Sequence, residues 1–440
     1  MKISPARTAA FDVLLKIETD KAFSSHLLAA YEEKLSTKDR ALSHELVLGV
    51  LRRQIYLDRV IDGFAGGKRL DPAVRVALRI GLYQIYLLDR IPHHSAINES
   101  VNLVQRAKKT SAKGLVNAIL RRATRETVSL EFENEIERLS IETSHPVWLL
   151  ERWSAEFGWE ETVRLAEANN QVPAITFRLV NVENHEGKLE GDIRPSEFVK
   201  GCFVAERVDE RLRKAAEAGE IYFQDEASQM VAAAVRLNQG GRFLDVCAAP
   251  GSKSTKVALD AETRRRAEGG KGSMGEKEIY AGDLHWNRVM FLRENCRRQG
   301  VDFVNIVQYD AERALPFADQ AFDTVLVDAP CSGTGTIRHN PEIRYFLQPE
   351  DFAELQNKQL RILKNASKLV TRGGTLIYST CSFEKEENEA VCEAFLRDTA
   401  DFRLVKPNVP ERFLTERGFA RTFPQRDGMD GFFVAEFDRS

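Results

Sequence analysis

The sequence predicts two fold classes in one chain: an all-α amino-terminal domain and, beyond a small α+β connector, an α/β domain on a mostly parallel sheet whose last strand is antiparallel. Three observations predict it. Through roughly the first 120 positions, apolar residues recur every three to four residues, the period of a buried helix face. From Ile221 onward, short apolar runs alternate with helical stretches, the pattern of parallel strands joined by crossovers. And 440 residues exceed one ordinary core, at roughly 100 to 200 residues per domain. The expected domains are 1–140, helical; 141–220, connector and small α+β subdomain; and 221–440, α/β.

Each helix has a local reason. Ser4 followed by Pro5 makes an N-cap and first turn, and Ala10, Val13, Leu14 and Ile17 then repeat at helical spacing. Ser36 with Asp39 starts another helix, leading into Leu42, Leu46 and Val50. A third opens after Asp71 and Pro72, runs through Leu78 to Leu88 and stops before Pro92. Ser95 is expected to cap a fourth that ends near Lys109, and a last one carries Leu115, Ile119 and Leu120.

After Ser144, His145 and Pro146, Trp148, Leu149, Trp153 and Phe157 follow helical spacing, and then Ile175, Phe177 and Leu179 alternate as in a strand. In the α/β region, strands are expected at 242–246, 279–282, 303–308, 322–327, 374–379 and 432–437. The Gly-rich, charged stretch 260–277 (DAETRRRAEGGKGSMGEK) reads as a mobile insertion between a helix and a strand.

Composition narrows the function classes. With 43% hydrophobic and 29% charged residues the chain can bury real cores. No run approaches the about 18 apolar residues needed to cross a bilayer, and Met1 to Thr19 is amphipathic rather than signal-like, so a cytoplasmic protein without a membrane partner is expected. Cys202, Cys247, Cys296, Cys331, Cys381 and Cys392 show neither CxxC spacing nor the density of a disulfide scaffold, so reduced thiols are expected and no metal. His93 and His94, with Glu99 nearby, diverge in a loop and make a poor ligand set. A monomer is expected.

The net charge of −3 hides its distribution. Between Val101 and Arg125 stand Arg106, Lys108, Lys109, Lys113, Arg121, Arg122 and Arg125 with no Asp or Glu among them, a local basic face that is either a solvated helix surface or a phosphate-binding stripe. The segment RIPHHSAINESVNLVQRAKKTSAKGLVNAILRR and the helix order around it resemble the NusB-type RNA-binding fold of antitermination factors over about residues 1–126. That resemblance implies that Lys108, Lys109, Lys113, Arg121 and Arg122 face RNA.

The segment FLDVCAAPGSKSTKVA is an apolar strand running into a Gly- and Pro-containing turn and then a helix, the place where an open α/β sheet binds nucleotide-like ligands. Small residues Ala248, Ala249, Gly251 and Ser252 admit a ligand to the backbone, and free amides at the helix start favour a carboxylate such as that of S-adenosylmethionine. Neither GxGxxG nor GxxxxGK[ST] is present, so a dinucleotide and ATP fit less well. Asp283, after the second strand, can accept from both ribose hydroxyls, and Asp310, after the third, from an adenine amine.

The fourth strand ends in Asp328-Ala329-Pro330-Cys331-Ser332-Gly333-Thr334-Gly335 and the fifth in Ser379-Thr380-Cys381-Ser382. If those strands are neighbours, two cysteines reach the rim that carries the cofactor loop. Cytosine C5 is a weak nucleophile, but a thiolate added at C6 gives C5 carbanion character, and covalent catalysis then splits one hard step into two. After methyl transfer the C5 proton must leave, which calls for a base or a bound water. Asp328 can hold the base by its N3 and exocyclic amine edge. Cys202, Cys247, Cys296 and Cys392 read as small buried hydrophobes, Cys296 and Cys392 on helices.

DVCAAPGSKS, DAPCSGTGTIRHNPEI, YSTCSFEKEENEAV and DGMDGFFVAEF resemble the RNA (cytosine-C5) methyltransferase superfamily, and with the NusB-like segment in front the whole chain is similar to its RsmB (Sun/Fmu) branch, which methylates a cytidine of small-subunit (16S) ribosomal RNA. The resemblance implies a Rossmann-like, S-adenosylmethionine-dependent catalytic domain. Cys247, Ala248, Ala249, Pro250, Gly251, Ser252 and Lys253 would form its cofactor loop, completed by Asp283, Asp310 and Asp328. It also implies that Cys381 is the nucleophile, that Cys331 assists product release and that Arg338 contacts RNA. Ser252 stands where the family usually has a second glycine, and His339 where a second arginine is common. Three other readings stay open: a methyltransferase acting on an exocyclic amine or on another RNA such as tRNA, a non-catalytic RNA-binding factor, and an enzyme in which Cys331 attacks.

Overall fold

A computed structural model describes residues 3–32, 34–180, 192–237, 241–267 and 279–440. They form two compact units, Met1–Gln171 with Ile337–Leu347, and Val172–Thr336 with Gln348–Ser440. Among the described residues no helix is long and apolar enough to cross a membrane.

In the first unit, Ser4, Ser36 and Asp71 accept from the backbone amides of Arg7, Asp39 and Ala73, satisfying donors that a helix start leaves free. These caps begin α1 (Pro5–Asp20), α3 (Thr37–Arg52) and α5 (Pro72–Leu87); α2 (Ser24–Glu32), α4 (Gln54–Ala65), α6 (His93–Arg106) and α7 (Lys113–Ala123) complete the set around them. Three more helices follow, α8 (Glu135–Thr143), α9 (Val147–Phe157) and α10 (Trp159–Ala168), so the helical unit continues past residue 140.

The centre is α5, on which Val74, Ala77, Leu78, Ile80 and Leu82 are buried, each larger side chain contributing about 1.5 to 3 kcal/mol by leaving water. Gly81 lets α7 come close: a Cβ there would lie 2.7 Å from Leu120 Cδ1. Gly81→Ala is therefore expected to cost about 1 to 3 kcal/mol through overpacking. The returning segment Ile337–Leu347 is tied in by polar contacts. Buried Arg344 donates to the carbonyl of Thr143 at 3.1 Å and to Asn170 Oδ1 at 3.0 Å, and Tyr345 donates to the carbonyl of Leu51 at 2.6 Å.

The second unit holds two sheets. β1 (Ile175–Leu179), β2 (Ile193–Pro195), β3 (Cys202–Ala205) and β4 (Ile221–Phe223) pair antiparallel in the order β2-β3-β1-β4. The larger sheet contains β5 (Phe243–Asp245), β6 (Ile279–Asp283), β7 (Asn305–Gln308), β8 (Phe322–Asp328), β9 (Val370–Thr380), β10 (Phe402–Val405), β11 (Ala420–Arg421) and β12 (Phe433–Arg439). Its order is β10-β12-β9-β8-β5-β6-β7, with β11 on β12. Strands β5 to β9 are parallel, and β12 runs antiparallel to β9. Val325, Leu326 and Val327 are fully buried, as expected of a central strand covered on both faces. The chain leaves β5 toward β6 and β7, then returns to the other side of β5 with β8. That reversal opens a crevice at the carboxyl ends of β5 and β8.

Several expectations shift. The helix expected to be capped by Ser95 starts at His93, after Pro92, and Ser95 instead bonds Glu99 within the first turns. The third strand begins at Asn305 rather than 303, and the fifth extends back to Val370, because pairing with β8 persists beyond the apolar core of the strand. Of the stretch 260–277, the part up to Ala267 continues the helix Ser252–Ala267, and 268–277 lie outside the described residues.

Candidate active site

Five successive strand ends bring the predicted residues to one rim. Cys247, Ala248, Ala249, Pro250 and Gly251 form the turn after β5, and Ser252 and Lys253 open the following helix. Asp283 ends β6, Asp310 follows β7, Asp328 ends β8, and Cys331 and Cys381 follow β8 and β9. The turn is pinned to its neighbour by the amide of Ala248 on the carbonyl of Gly282 at 2.8 Å, and it closes through the amide of Gly251 on the carbonyl of Ala248 at 2.7 Å. Gly251 has φ +104, and a Cβ there would stand 2.6 Å from Leu292 Cδ1, so only glycine fits.

Asp283 is 4% exposed, accepts from the amide of Ala249 at 3.2 Å and lies 3.4 Å from Arg288, whose guanidinium also holds the carbonyl of Ala249 at 2.7 Å. Asp310 is more open, accepting from the amide of Glu312 at 3.0 Å with Arg313 at 3.2 Å. Beside them two buried polar atoms, Tyr309 Oη and Asp245 Oδ1, have no partner among the described residues. Asp245 keeps Ser254 on its other oxygen at 2.6 Å, and burial pushes its carboxyl up to about 7. Acids at successive strand ends, free amides at a helix start and orphaned polar atoms suit a ligand with a carboxylate, a ribose and an adenine.

Lys253, expected only in the cofactor loop, does more. Its ammonium, 8% exposed, donates to Asp328 Oδ2 at 2.6 Å and lies 5.1 Å from the centre of the Phe432 ring. Burial works to lower its proton affinity, but the charge and hydrogen bond of Asp328 outweigh it, so Lys253 is held cationic, within electrostatic reach of Cys381. Ser379 takes the second oxygen, Oδ1, at 2.8 Å, an arrangement no spacing pattern announces.

The two sulfurs lie 3.3 Å apart. Cys331 keeps its proton far above the ordinary thiol range because of its hydrogen bond with Cys381, then burial, then the negative charge of Cys381 and Glu387. Burial likewise pushes the Cys202 and Cys296 thiols up to about 12, and those of Cys247 and Cys392 also upward, the behaviour of packing residues. Sequence reasoning missed Glu387, Gln359, Ser332 and Ser382, which bind one another behind the cysteines. Four glutamates crowd EKEENEAV, of which Glu384, Glu387 and Glu389 are buried, and only the bonds to Ser332, Ser382 and Gln359 single out Glu387.

In the first unit the basic run is partly neutralised by acids from elsewhere in the chain. Lys109 meets Asp71 at 2.7 Å, Arg106 meets Asp12 at 2.5 Å and Arg122 meets Glu126 at 2.6 Å, while Lys113 and Arg121 bond the amide side chains of Gln105 and Asn117. Lys108 lies on the same exposed stretch, whereas Arg338 is 5% exposed within the segment Ile337–Leu347. His93, His94, Arg121 and Arg125 line a surface cleft of about 530 Å³.

Comparison with known proteins agrees along the whole chain. The profile described as 16S rRNA methyltransferase RsmB/F matches residues 232–438, that of the NusB family 4–125, and that of an RsmF/B-like, ferredoxin-like domain 145–187. The probable ribosomal RNA small subunit methyltransferase B of Bacillus subtilis (strain 168) is 34% identical over 454 residues, covering 99% of this chain and 98% of that protein. The ribosomal RNA small subunit methyltransferase B of Escherichia coli O17:K52:H18 is 33% identical, covering 94% and 93%. Among solved structures, PH0851 superposes with a TM-score of 0.84 at 26% identity over 100% of both chains, and NSun6 from Pyrococcus horikoshii shares the fold at 0.57 and 19%, over 67% of this chain and 98% of that one. With a third of its residues shared over nearly the full length of these relatives, and with the NusB-like and methyltransferase units both present, the chain belongs to the RsmB/F family of 16S rRNA methyltransferases.

Proposed function

We propose that the protein transfers a methyl group from S-adenosylmethionine to C5 of a cytidine in small-subunit ribosomal RNA, with Cys381 as nucleophile. The observation that carries this reading is the pair of sulfurs 3.3 Å apart beside the Lys253–Asp328 pair. When bound, S-adenosylmethionine supplies an electrophilic methyl sulfonium. Cys247 to Lys253 with Asp283 and Asp310 would hold it, the acids accepting from hydroxyl and amine donors. Lys108, Lys109, Lys113, Arg121 and Arg122 would hold the RNA.

Cytosine presents an acceptor at N3 and a donor at its exocyclic amine, and Lys253 and Asp328 offer a donor and an acceptor side by side. Uracil reverses that order, so the pair selects cytosine. The Cys381 thiolate forms a bond to C6, the electron pair moves toward N3, where Lys253 can donate, and C5 becomes the nucleophile that takes the methyl group. The C5 proton then leaves, the electron pair returns to form the C5–C6 double bond, and the Cys381 sulfur departs as thiolate. Cys331 is suited to the second half. Its proton is held by the hydrogen bond of Cys381, by burial and by the charges of Cys381 and Glu387, and the two contributions of Cys381 are lost while that residue is bound to carbon, which eases ionisation. In that interval, once its own proton has passed to water, the Cys331 thiolate can take the C5 proton, directly or through a water, and is a thiol again as the Cys381 sulfur departs.

The test uses the two cysteines singly. Cys381→Ala is expected to abolish methyl transfer and to leave no covalent protein–RNA species. Cys331→Ala is expected to accumulate a slow-migrating adduct on denaturing gels, dependent on S-adenosylmethionine. An adduct from the Cys381 variant and none from the Cys331 variant would reverse the roles, and full activity in both would sink covalent catalysis by this pair.

A further inference from the structure

The fully buried carboxylate of Glu387 lies against the loops that carry the two sulfurs. Its Oε1 accepts from the amide of Ser332 at 2.8 Å and from Gln359 Nε2 at 2.9 Å, and its Oε2 accepts from the hydroxyls of both Ser332 and Ser382. Ser332 and Ser382 each directly follow a cysteine of the pair. Gln359 also donates to the carbonyl of Pro330 at 3.0 Å, the residue before Cys331. One carboxylate thus ties the residue after each sulfur and, through Gln359, the residue before one of them. The neighbouring Asn388 holds the carbonyl of Ser382 at 2.9 Å, so the second loop is fixed from both sides.

We infer that Glu387 is the positioning residue of the two-cysteine site, setting the separation of Cys331 and Cys381 by anchoring Ser332 and Ser382 to one buried carboxylate. It is hydrogen-bonded to neither sulfur; apart from the charge it sets near Cys331, it acts through the backbone that carries them. A charged acceptor suits the task, because charge-assisted bonds are short and directional, and four donors satisfy both oxygens of a buried charge. An uncharged side chain of the same size could accept from some of these donors but would face the rest with a donor of its own. The inference rests on the proposed two-cysteine chemistry, so its test includes a measurement that does not depend on that chemistry.

In the full-length chain, Glu387→Ala and Glu387→Gln are compared with wild type in two measurements. One is the rate at which diamide closes Cys331 and Cys381 into a disulfide: two thiols give up two protons and two electrons, the S–S bond forms, and the diazene becomes a hydrazine. A Cys331→Ala protein assigns that signal to the pair, and unchanged alkylation of buried Cys296 and Cys392 shows that any change is local. The other is kcat and KM for ribosomal RNA methylation. Glu387→Ala is expected to slow closure and to lower kcat by about tenfold or more, toward the roughly hundredfold that an ångström of misplacement can cost, with KM for S-adenosylmethionine unchanged. Glu387→Gln, which keeps the volume and one acceptor oxygen, is expected to recover part of both. Unchanged closure in the Ala variant overturns the inference, whatever kcat does. Slowed closure with unchanged kcat upholds Glu387 as the anchor and overturns the catalytic role of the pair. If the Ala variant does not fold, the Gln variant decides by the same two measurements.

Discussion

Lys253 and Lys109 each meet an aspartate at nearly the same distance, 2.6 Å to Asp328 and 2.7 Å to Asp71, yet the two pairs differ in energy. The Lys253 side chain is 8% exposed and the Asp328 carboxylate has a second fixed donor in Ser379, whereas the Lys109 side chain is 46% exposed on the helical unit. An exposed pair of this kind contributes about 0 to 1 kcal/mol, because water and ions compete for both partners. Removing one member of a buried pair strands the other and costs about 3 to 5 kcal/mol. Equal geometry therefore marks a committed site on the sheet rim and an interchangeable charge on the helical face. Chemistry needs the first, since reacting atoms must be held in place; docking onto a phosphate backbone tolerates the second.

The largest expected effect breaks the buried member of this comparison. Lys253→Met should destabilise the protein by up to about 3 to 5 kcal/mol in urea unfolding at neutral pH, the upper end applying if the Asp328 side chain, 27% exposed, gains no further water. A loss below about 1 kcal/mol would mean that the Asp328 carboxylate finds water and that the rim pair is as loosely held as the surface pair.

Next in size is the other buried acid of the rim. Asp245 stays protonated in the folded protein up to about pH 7, while an unfolded aspartate ionises near 4. Across that window the folded state holds more protons, so this group makes stability fall as pH rises, and the fall levels off above pH 7. Asp245→Asn should flatten the decline, which is on the order of 2 to 4 kcal/mol. An unaltered pH profile would place the Asp245 proton elsewhere.

Smaller again is the effect of Asp283→Ala on the cofactor. Losing a charge-assisted acceptor for ribose hydroxyls should weaken S-adenosylmethionine binding by about tenfold to a hundredfold in calorimetry, with RNA affinity unchanged. An unchanged dissociation constant would remove Asp283 from the pocket.

On the exposed side of the comparison, Lys109→Ala should move stability by no more than about 1 kcal/mol. Neutralising Lys108, Lys109, Arg121 and Arg122 together should instead appear in RNA binding, reducing the log-log salt slope by roughly 0.7 to 0.9 for each phosphate that the protein no longer neutralises. A slope that does not move would return this face to ordinary solvated surface.

Legibility follows the same division. Ser4, Ser36 and Asp71 announce their helices because a cap interacts only with the next few amides. The helix start at His93 is hidden because Pro92 precedes it without a side-chain cap, and Ser95 looks the better candidate. The apolar strands β5, β6 and β8 are readable, whereas β10 and β11 are short and lean on β12 for their identity. Within residues 101–125 the absence of acids suggests a bare basic face, but Asp12 and Asp71 reach it from α1 and from the N-cap of α5. No local window contains that information.

By itself, the sequence determined the elements and their chemical endowment: helices with caps, apolar strands that end in Asp283, Asp328 and the two Cys loops, and a small-residue turn fit for a ligand. These depend on interactions between near neighbours, which spacing encodes. Only the tertiary structure decided which groups meet. Lys253 reaches Asp328 across 75 residues, Cys331 reaches Cys381 across 50, and Ser332 and Ser382 share one carboxylate, because β9, β8 and β5 lie side by side in the sheet. Strand order is a property of the whole packed core, where β8 lies between β5 and β9 with Val325, Leu326 and Val327 removed from water, and residue spacing along the chain does not record it.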